Sequence, residues 1–294
     1  MPLKPILEAK EVSFRYPDGT PALENVTLAV AEGQKTAFLG PNGAGKTTLF
    51  LHFNGLFRPV KGKISFAGRE VRYDRASLLE LRKNVGIVFQ DPETQLFSAS
   101  VWQEVSFGPL NLGLPAPEVK ERVLSALSAA QVLDLKDRPT HFLSYGQKKR
   151  VAIADILAMH PRVLICDEPT AWLDTRRGKQ IMDLFAGLNA SGTTIVFSTH
   201  DVDLAYSWAD YVFLLKDGML IGEGPPEAVF GDPRLLAAAE LEKPWVVEVY
   251  EELQRKGWVA GRRPPRSKEE LLALIGERGV RGAELGKVKQ IPAR

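Results

Sequence analysis

The stretch Gly40-Pro41-Asn42-Gly43-Ala44-Gly45-Lys46-Thr47-Thr48 constrains this chain more than any other. An apolar run, Thr36-Ala37-Phe38-Leu39, precedes it and reads as a buried strand; a helical stretch from Lys46 to Phe53 follows and stops near Asn54-Gly55. Glycines at 40, 43 and 45 let the backbone curl until successive amide hydrogens point at one set of phosphate oxygens. The helix that opens near Lys46 adds the positive end of its dipole. Lys46 is then placed to reach the β and γ phosphates of a nucleotide, and the Thr47 hydroxyl to ligate Mg²⁺. The competing reading is a plain glycine turn. From average residue usage the bare pattern arises by chance in about one chain of this length per hundred, and the strand and helix flanks lower that further.

A second feature supports the first. Val163-Leu164-Ile165-Cys166-Asp167-Glu168 is an apolar strand ending in two adjacent carboxylates. Two acids at the carboxyl end of a buried strand are costly without a cation or a hydrogen-bonding partner. Mg²⁺ with ATP supplies that cation. Asp167 is expected to orient the metal's water shell, and Glu168 to polarise the attacking water.

Around these features the chain alternates strands and helices. Alternating stretches over residues 6–30, broken by Pro17-Asp18-Gly19, predict an antiparallel strand pair. Buried strands are expected at 85–90, at Val163–Cys166 and at Thr194–Phe197, with helices over 117–132 and around 176–188. Such alternation implies an α/β fold with a mainly parallel, doubly wound sheet. The 294 residues suffice for one large domain plus an appendage. From Glu251 to Arg294 there are 11 Lys/Arg against 6 Asp/Glu, and Ser267 to Glu270 has capping-box spacing, so a small C-terminal appendage with a short helix is expected. No window approaches the roughly 18 apolar residues of a spanning helix, and the first residues lack the apolar stretch of a signal peptide. The single cysteine, Cys166, suits a reducing cytoplasm, and a net charge of +2 gives no argument for a nucleic-acid partner.

Leu143-Ser144-Tyr145-Gly146-Gln147 resembles the LSGGQ signature of ATP-binding cassette (ABC) ATPases, with Tyr145 in place of the first glycine. The resemblance spans roughly residues 5–230. It implies a P-loop NTPase (RecA-like) core, an N-terminal antiparallel β subdomain, an inserted α-helical subdomain over about 91–160, and a C-terminal extension over 233–294 after an ATP-binding domain over 1–232. Ser144 and Gly146 are expected to precede a helix over Gln147–Met159 whose free amides face the γ-phosphate bound on a partner subunit. Tyr16 matches the aromatic that stacks on adenine. Gln90 matches the Q-loop glutamine that senses metal and water, Asp174 the D-loop aspartate, and His200 the switch histidine on the γ-phosphate. Mg²⁺ would then be held through Thr47, Gln90 and Asp167. Trp172 stands where small residues are usual, as a dimer contact or as local packing.

The stretches Gln90–Phe97, Phe107–Leu114, Gln147–Ala154 and Ser198–Ala205 are similar to the ATPases of energy-coupling-factor importers. The segments 201–224 and 241–270 most resemble the cobalt and nickel (CbiO-like) branch; the vitamin-importing branch shares most of these motifs. This likeness implies a peripheral protein on the cytoplasmic face of the cell membrane. Its expected partners are a second ATPase subunit (a second copy or a sister subunit), a transmembrane coupling protein and a substrate-capturing membrane protein, and no nucleic acid. The extension is expected to help pair the ATPases. A soluble ABC ATPase acting on ribosomes or nucleic acid is the alternative of another class. Such proteins usually carry two cassettes or a long coiled-coil insertion, and neither is visible here. Four histidines and one cysteine, scattered, predict no transition-metal site.

Overall fold

The computed structural model describes residues 4–259 and 263–285, with side chains described as far as 276. Residues 260–262 and 286–294 of the expected extension lie outside the described residues. The chain opens with β1 (Pro5–Arg15) and β2 (Pro21–Ala31), an antiparallel hairpin. Its turn is held by Asp18, whose carboxylate accepts from the Thr20 amide at 2.9 Å, and by Gly19 at φ 89°. Next come β3 (Lys35–Leu39), α1 (Lys46–Phe53), β4 (Lys61–Phe66), β5 (Arg69–Glu70), α2 (Arg75–Asn84) and β6 (Val85–Val88). A helical region follows, with α3 (Val101–Asn111), α4 (Ala116–Ala129) and α5 (Tyr145–Leu157). The core then resumes with β7 (Val163–Cys166), α6 (Thr175–Ala190), β8 (Thr194–Ser198), α7 (Val202–Trp208), β9 (Tyr211–Lys216) and β10 (Met219–Gly224). Four helices end it: α8 (Pro226–Phe230), α9 (Pro233–Ala239), α10 (Trp245–Arg255) and α11 (Lys268–Leu285).

These strands form two sheets. One is antiparallel, in the order β2-β1-β4-β5; the other runs β10-β9-β3-β8-β7-β6. In the second, β9, β3, β8, β7 and β6 are mutually parallel and β10 is the antiparallel edge. Its central strands are buried on both faces, so they read as continuous apolar runs rather than alternating ones. Strand periodicity still sorts their side chains. Phe38, Ile165, Val196 and Phe213 face the layer built from α1 and the N-terminal sheet. Their neighbours Leu39, Cys166, Phe197 and Leu214 face the layer of α5, α6 and α10.

The helix α5 packs on β6 at very close range. A β-carbon on Gly86 would overlap Ile156 Cγ2, so glycine is what lets the helix seat against this strand. The C-terminal segment joins the same core: Leu236 of α9, Val246, Val247 and Tyr250 of α10 and Leu271 of α11 are buried in its second layer. Arg266 fastens it further, its guanidinium donating to the Tyr206 carbonyl at 2.6 and 3.0 Å. At α11 half of the expected capping box forms. Ser267 Oγ accepts from the Glu270 amide at 3.1 Å, but the Glu270 carboxylate accepts from the Arg266 amide instead of that of Ser267.

Gly86→Ala is expected to cost about 1–3 kcal/mol by overpacking the α5–β6 contact. Urea unfolding measures this, and a midpoint equal to that of the native chain contradicts it.

Candidate functional site

Parallel pairing brings the carboxyl ends of four strands to one edge. Phe38 is in register with Ser198, Phe197 with Cys166, and Cys166 with Val88. The residues just beyond those ends are Gly40, Thr199, Asp167 and Phe89. Open α/β sheets place their ligands at such an edge. Here a cavity of about 810 Å³ opens there.

The turn from β3 to α1 forms one wall. Gly40, Gly43 and Gly45 have φ of 141°, 82° and 97°, in the region that favours glycine. A β-carbon on Gly40 would strike the Leu215 carbonyl, and one on Gly45 would come within 2.5 Å of the Ala22 carbonyl. Gly45 is the N-cap of α1 and offers no side-chain acceptor, and the first turn carries no acid. The first amides of α1 therefore have no side-chain cap from their own chain. Lys46 is buried, its ammonium donating to the carbonyls of Gly40 at 2.6 Å and Pro41 at 3.0 Å. Burial pushes this ammonium below the usual lysine range, and the Glu168 and Asp167 carboxylates pull it back up.

The opposite wall carries the two acids, both buried. The Thr47 hydroxyl donates to Asp167 Oδ2 at 2.5 Å across 120 residues of sequence. Ser198 donates to the other oxygen of Asp167 and accepts from the Glu168 amide at 2.9 Å, tying the ends of β7 and β8 together. Glu168 has a left-handed backbone, φ 47°, which turns its side chain off the strand line. His200 Nδ1 sits 3.1 Å from both Glu168 oxygens, with the ring largely exposed to the cavity mouth. Tyr16 stands at another rim. Its hydroxyl shares a 2.8 Å hydrogen bond with Thr48 Oγ1, and its ring meets Phe14 and Phe57 edge-on.

Of the residues singled out in the sequence, Tyr16, Asn42–Thr48, Gln90, Asp167, Glu168 and His200 line this one cavity. Gly40 and Pro41 contribute through the carbonyls that hold Lys46. Ser144, Tyr145, Gly146, Gln147 and Asp174 are outside its lining. Asp174 caps α6, accepting from the Arg177 amide at 2.9 Å. Trp172 is at the cavity, 79% exposed and with φ 63°, so local packing does not account for it.

The start of α5 differs from the sequence expectation. The helix begins at Tyr145, with Ser144 as N-cap and Gly146 inside the first turn, and it ends at Leu157. Ser144 Oγ accepts from the Gln147 amide at 3.4 Å while Gln147 Oε1 accepts from the Ser144 amide at 2.9 Å. The Ser-x-x-Gln spacing is a capping box and was the available signal. Sequence reasoning also missed Ser198, and it missed Lys149, a fully buried lysine on α5. Lys149 lies at the i+4 position from Tyr145, but its burial has no local signature.

A family model described as ABC transporter matches residues 23–171. The chain belongs to the ABC transporter family. Sequence relatives agree. The energy-coupling factor transporter ATP-binding protein EcfA of Methanocaldococcus jannaschii is 50% identical over 85% of this chain and 90% of its own length. The cobalt import ATP-binding protein CbiO of Rhodobacter capsulatus is 49% identical over 84% of this chain and 88% of its own. A putative ABC transporter ATP-binding protein of Methanosarcina mazei is 48% identical over 92% of this chain, which spans 60% of that relative's length. Among solved structures, cbiO1 of Clostridium perfringens, part of the ABC transporter complex cbiONQ, aligns with TM-score 0.73 and 44% identity, covering 86% of this chain and 98% of that one. A dimeric ATP-binding cassette in a post-hydrolysis state with ADP and Pi aligns with TM-score 0.69 and 30% identity, covering 75% and 99%. This chain is thus an ABC ATPase, homologous to ATP-binding subunits of transporters, with the P-loop NTPase fold. Among its described residues no helix is long and apolar enough to cross a membrane.

Cys166 immediately precedes the acids, and burial pushes its thiol up to about 12 against the pull of Lys149. The wholly buried thiol is therefore held protonated at pH 8. The folded ATPase should resist a thiol reagent at that pH and react once urea unfolds it. Stoichiometric labelling of the folded chain is the contrary result.

Proposed function

We propose that this chain is the ATP-hydrolysing subunit of an energy-coupling-factor importer with cobalt or nickel ions as cargo, acting as one of two ATPase subunits that share two nucleotide sites. The observation that carries the paired reading is the partition of the site. The cradle, Asp167, Glu168 and His200 line one cavity, while Ser144, Tyr145, Gly146 and Gln147 lie outside that lining. The open side of the cavity is closed by a second subunit that presents its own α5 N-terminus to the γ-phosphate, where amides and helix dipole stabilise negative charge. Because one chain holds both halves, two copies make two competent sites, and a sister subunit fits the same scheme.

The chemistry follows from the groups present. ATP enters with its adenine against Tyr16. Its phosphates take the amides of residues 40–48, and Lys46 exchanges the carbonyls of Gly40 and Pro41 for phosphate oxygens. Thr47 and Asp167, two hard oxygen donors joined at 2.5 Å, suit Mg²⁺, with Gln90 lining the same cavity. Mg²⁺ held there with the nucleotide would neutralise phosphate charge. Glu168 takes the proton of the water that attacks the γ-phosphorus as the bond to ADP breaks and ADP leaves, and His200, 3.1 Å from both Glu168 oxygens, orients that carboxylate. Asp174, beside the exposed Trp172, sits where the two subunits pass each other.

The cobalt or nickel reading is supported by the cobalt-import relative and by the structural neighbour from a cbiONQ complex. Docking beneath a membrane, on the cytoplasmic face, is supported by an apolar groove of about 670 Å³ where Phe97, Trp102, Phe107 and Leu110 gather. Phe97 is 67% exposed there, and the groove follows directly on the Gln90–Gln95 segment. It suits a segment of a transmembrane coupling protein, which in turn carries the substrate-capturing protein. The cargo ion crosses through those partners.

Glu168→Gln is expected to keep ATP binding, trap a closed pair and lower turnover at least about 100-fold. Steady-state phosphate release checks this, and native-like turnover removes Glu168 from its role. Lys46→Ala should weaken ATP binding about tenfold or more, as expected on losing a charged donor to phosphate. Unchanged affinity in a titration excludes the cradle. ATP-dependent cobalt uptake into vesicles holding the co-purified membrane complex tests the cargo; uptake of a vitamin in its place reassigns it.

A further inference from the structure

The side of α5 that faces its own core makes a row of polar contacts that ATP binding by itself does not require. Tyr145, at the position of a signature glycine, donates its hydroxyl to the Gln90 carbonyl at 3.0 Å. One turn along the same face, the Lys149 ammonium donates to the carbonyls of Phe89 at 2.8 Å and Gln90 at 2.9 Å, and reaches that of Asp167 at 3.4 Å. Lys148 pairs with Glu93. The Gln95 side chain completes the row, accepting from the Phe89 amide at 3.1 Å and donating to the Ala152 carbonyl at 3.4 Å.

Lys149 is the centre of this arrangement. It is 0% exposed and, among the described residues, has no carboxylate at ion-pair distance. Burial pushes its ammonium down, and the nearby Asp167 and Glu168 carboxylates pull it back up. An apolar side chain would fill this position at lower desolvation cost. The charge instead grips the backbone of Gln90 and Asp167, whose side chains line the nucleotide cavity. The same helix ends in the N-terminus that the paired reading offers to the other subunit's nucleotide.

We infer that Lys149, seconded by Tyr145 and Gln95, is a positioning residue that couples the two nucleotide sites of a pair, fixing α5 to the strand ends that respond to the chain's own nucleotide. A shift of Gln90 or Asp167 on binding then moves the α5 N-terminus with it. The inference rests on the paired-site reading above.

The test uses the full chain in a Glu168→Gln background, with Mg·ATP-driven pairing followed by sedimentation velocity. Adding Lys149→Met should raise the ATP concentration for half-pairing roughly tenfold or more, the scale of a lost charged hydrogen-bond set. ATP affinity of the dilute, unpaired chain should stay within about twofold, which separates a pairing effect from loss of the nucleotide site. Gln95→Met cuts the Phe89–Ala152 bridge without removing a charge. It should shift pairing in the same direction, and it decides the matter if Lys149→Met does not fold. A Glu168→Gln chain that stays monomeric at saturating ATP, both alone and with the sister ATPase co-purified from its membrane complex, overturns the paired-site reading and this coupling with it. A chain that pairs, with variants pairing at the same ATP concentration or losing monomer affinity in equal measure, overturns the coupling alone.

Discussion

Parallel register is the constraint on which this structure depends. When β3, β8, β7 and β6 pair in parallel with Phe38 opposite Ser198 and Cys166 opposite both Phe197 and Val88, four chain segments leave the sheet at the same edge. A two-residue slip along any one strand would carry its functional residue about 6–7 Å from the others. The apolar side chains on both faces hold that register, because each strand is locked between two packed layers. The core is thus the device that sets the spacing of Lys46, Asp167, Glu168 and His200.

Charge is the second constraint, and it acts through burial. Lys46, Asp167 and Glu168 are all withdrawn from water around one cavity. No one of them would be stable there alone. Each finds local partners: carbonyls for Lys46, the Thr47 and Ser198 hydroxyls for Asp167, an imidazole for Glu168. Hydrogen bonds of this kind strengthen one another where the dielectric is low. They also leave the site ready to exchange partners, since a phosphate oxygen is a better acceptor for an ammonium than a neutral carbonyl is.

The helix α5 carries two obligations at once. Its N-terminus is closed by a Ser144–Gln147 capping box, while its flank buries a lysine against the carbonyls of two strand ends. Tyr145 adds an anchor where a glycine would have none. The glycine at 86 is what brings the helix near enough for these contacts to form. Packing, capping and charge therefore converge on the same helix.

Several elements were legible from local sequence. The bounds of α1, the strand at Val163–Cys166, the strand expected at Thr194–Phe197 and found one residue longer, and the hairpin at Pro17-Asp18-Gly19 all follow from short-range rules of period, glycine placement and turn chemistry. The glycine cradle and the paired acids were equally visible, because each is a contiguous run whose chemistry is fixed by residue type and order. The start of α5 was misplaced by two residues, since glycine at 146 weakens a helix locally and the capping box outweighs it. Tertiary structure alone decided the contact of Thr47 with Asp167, the crosslink through Ser198, the exposure of Trp172 and the burial of Lys149. Those facts depend on which distant strands pair and in what register. That choice is made by the summed burial of the whole core and leaves no mark on the residues nearby.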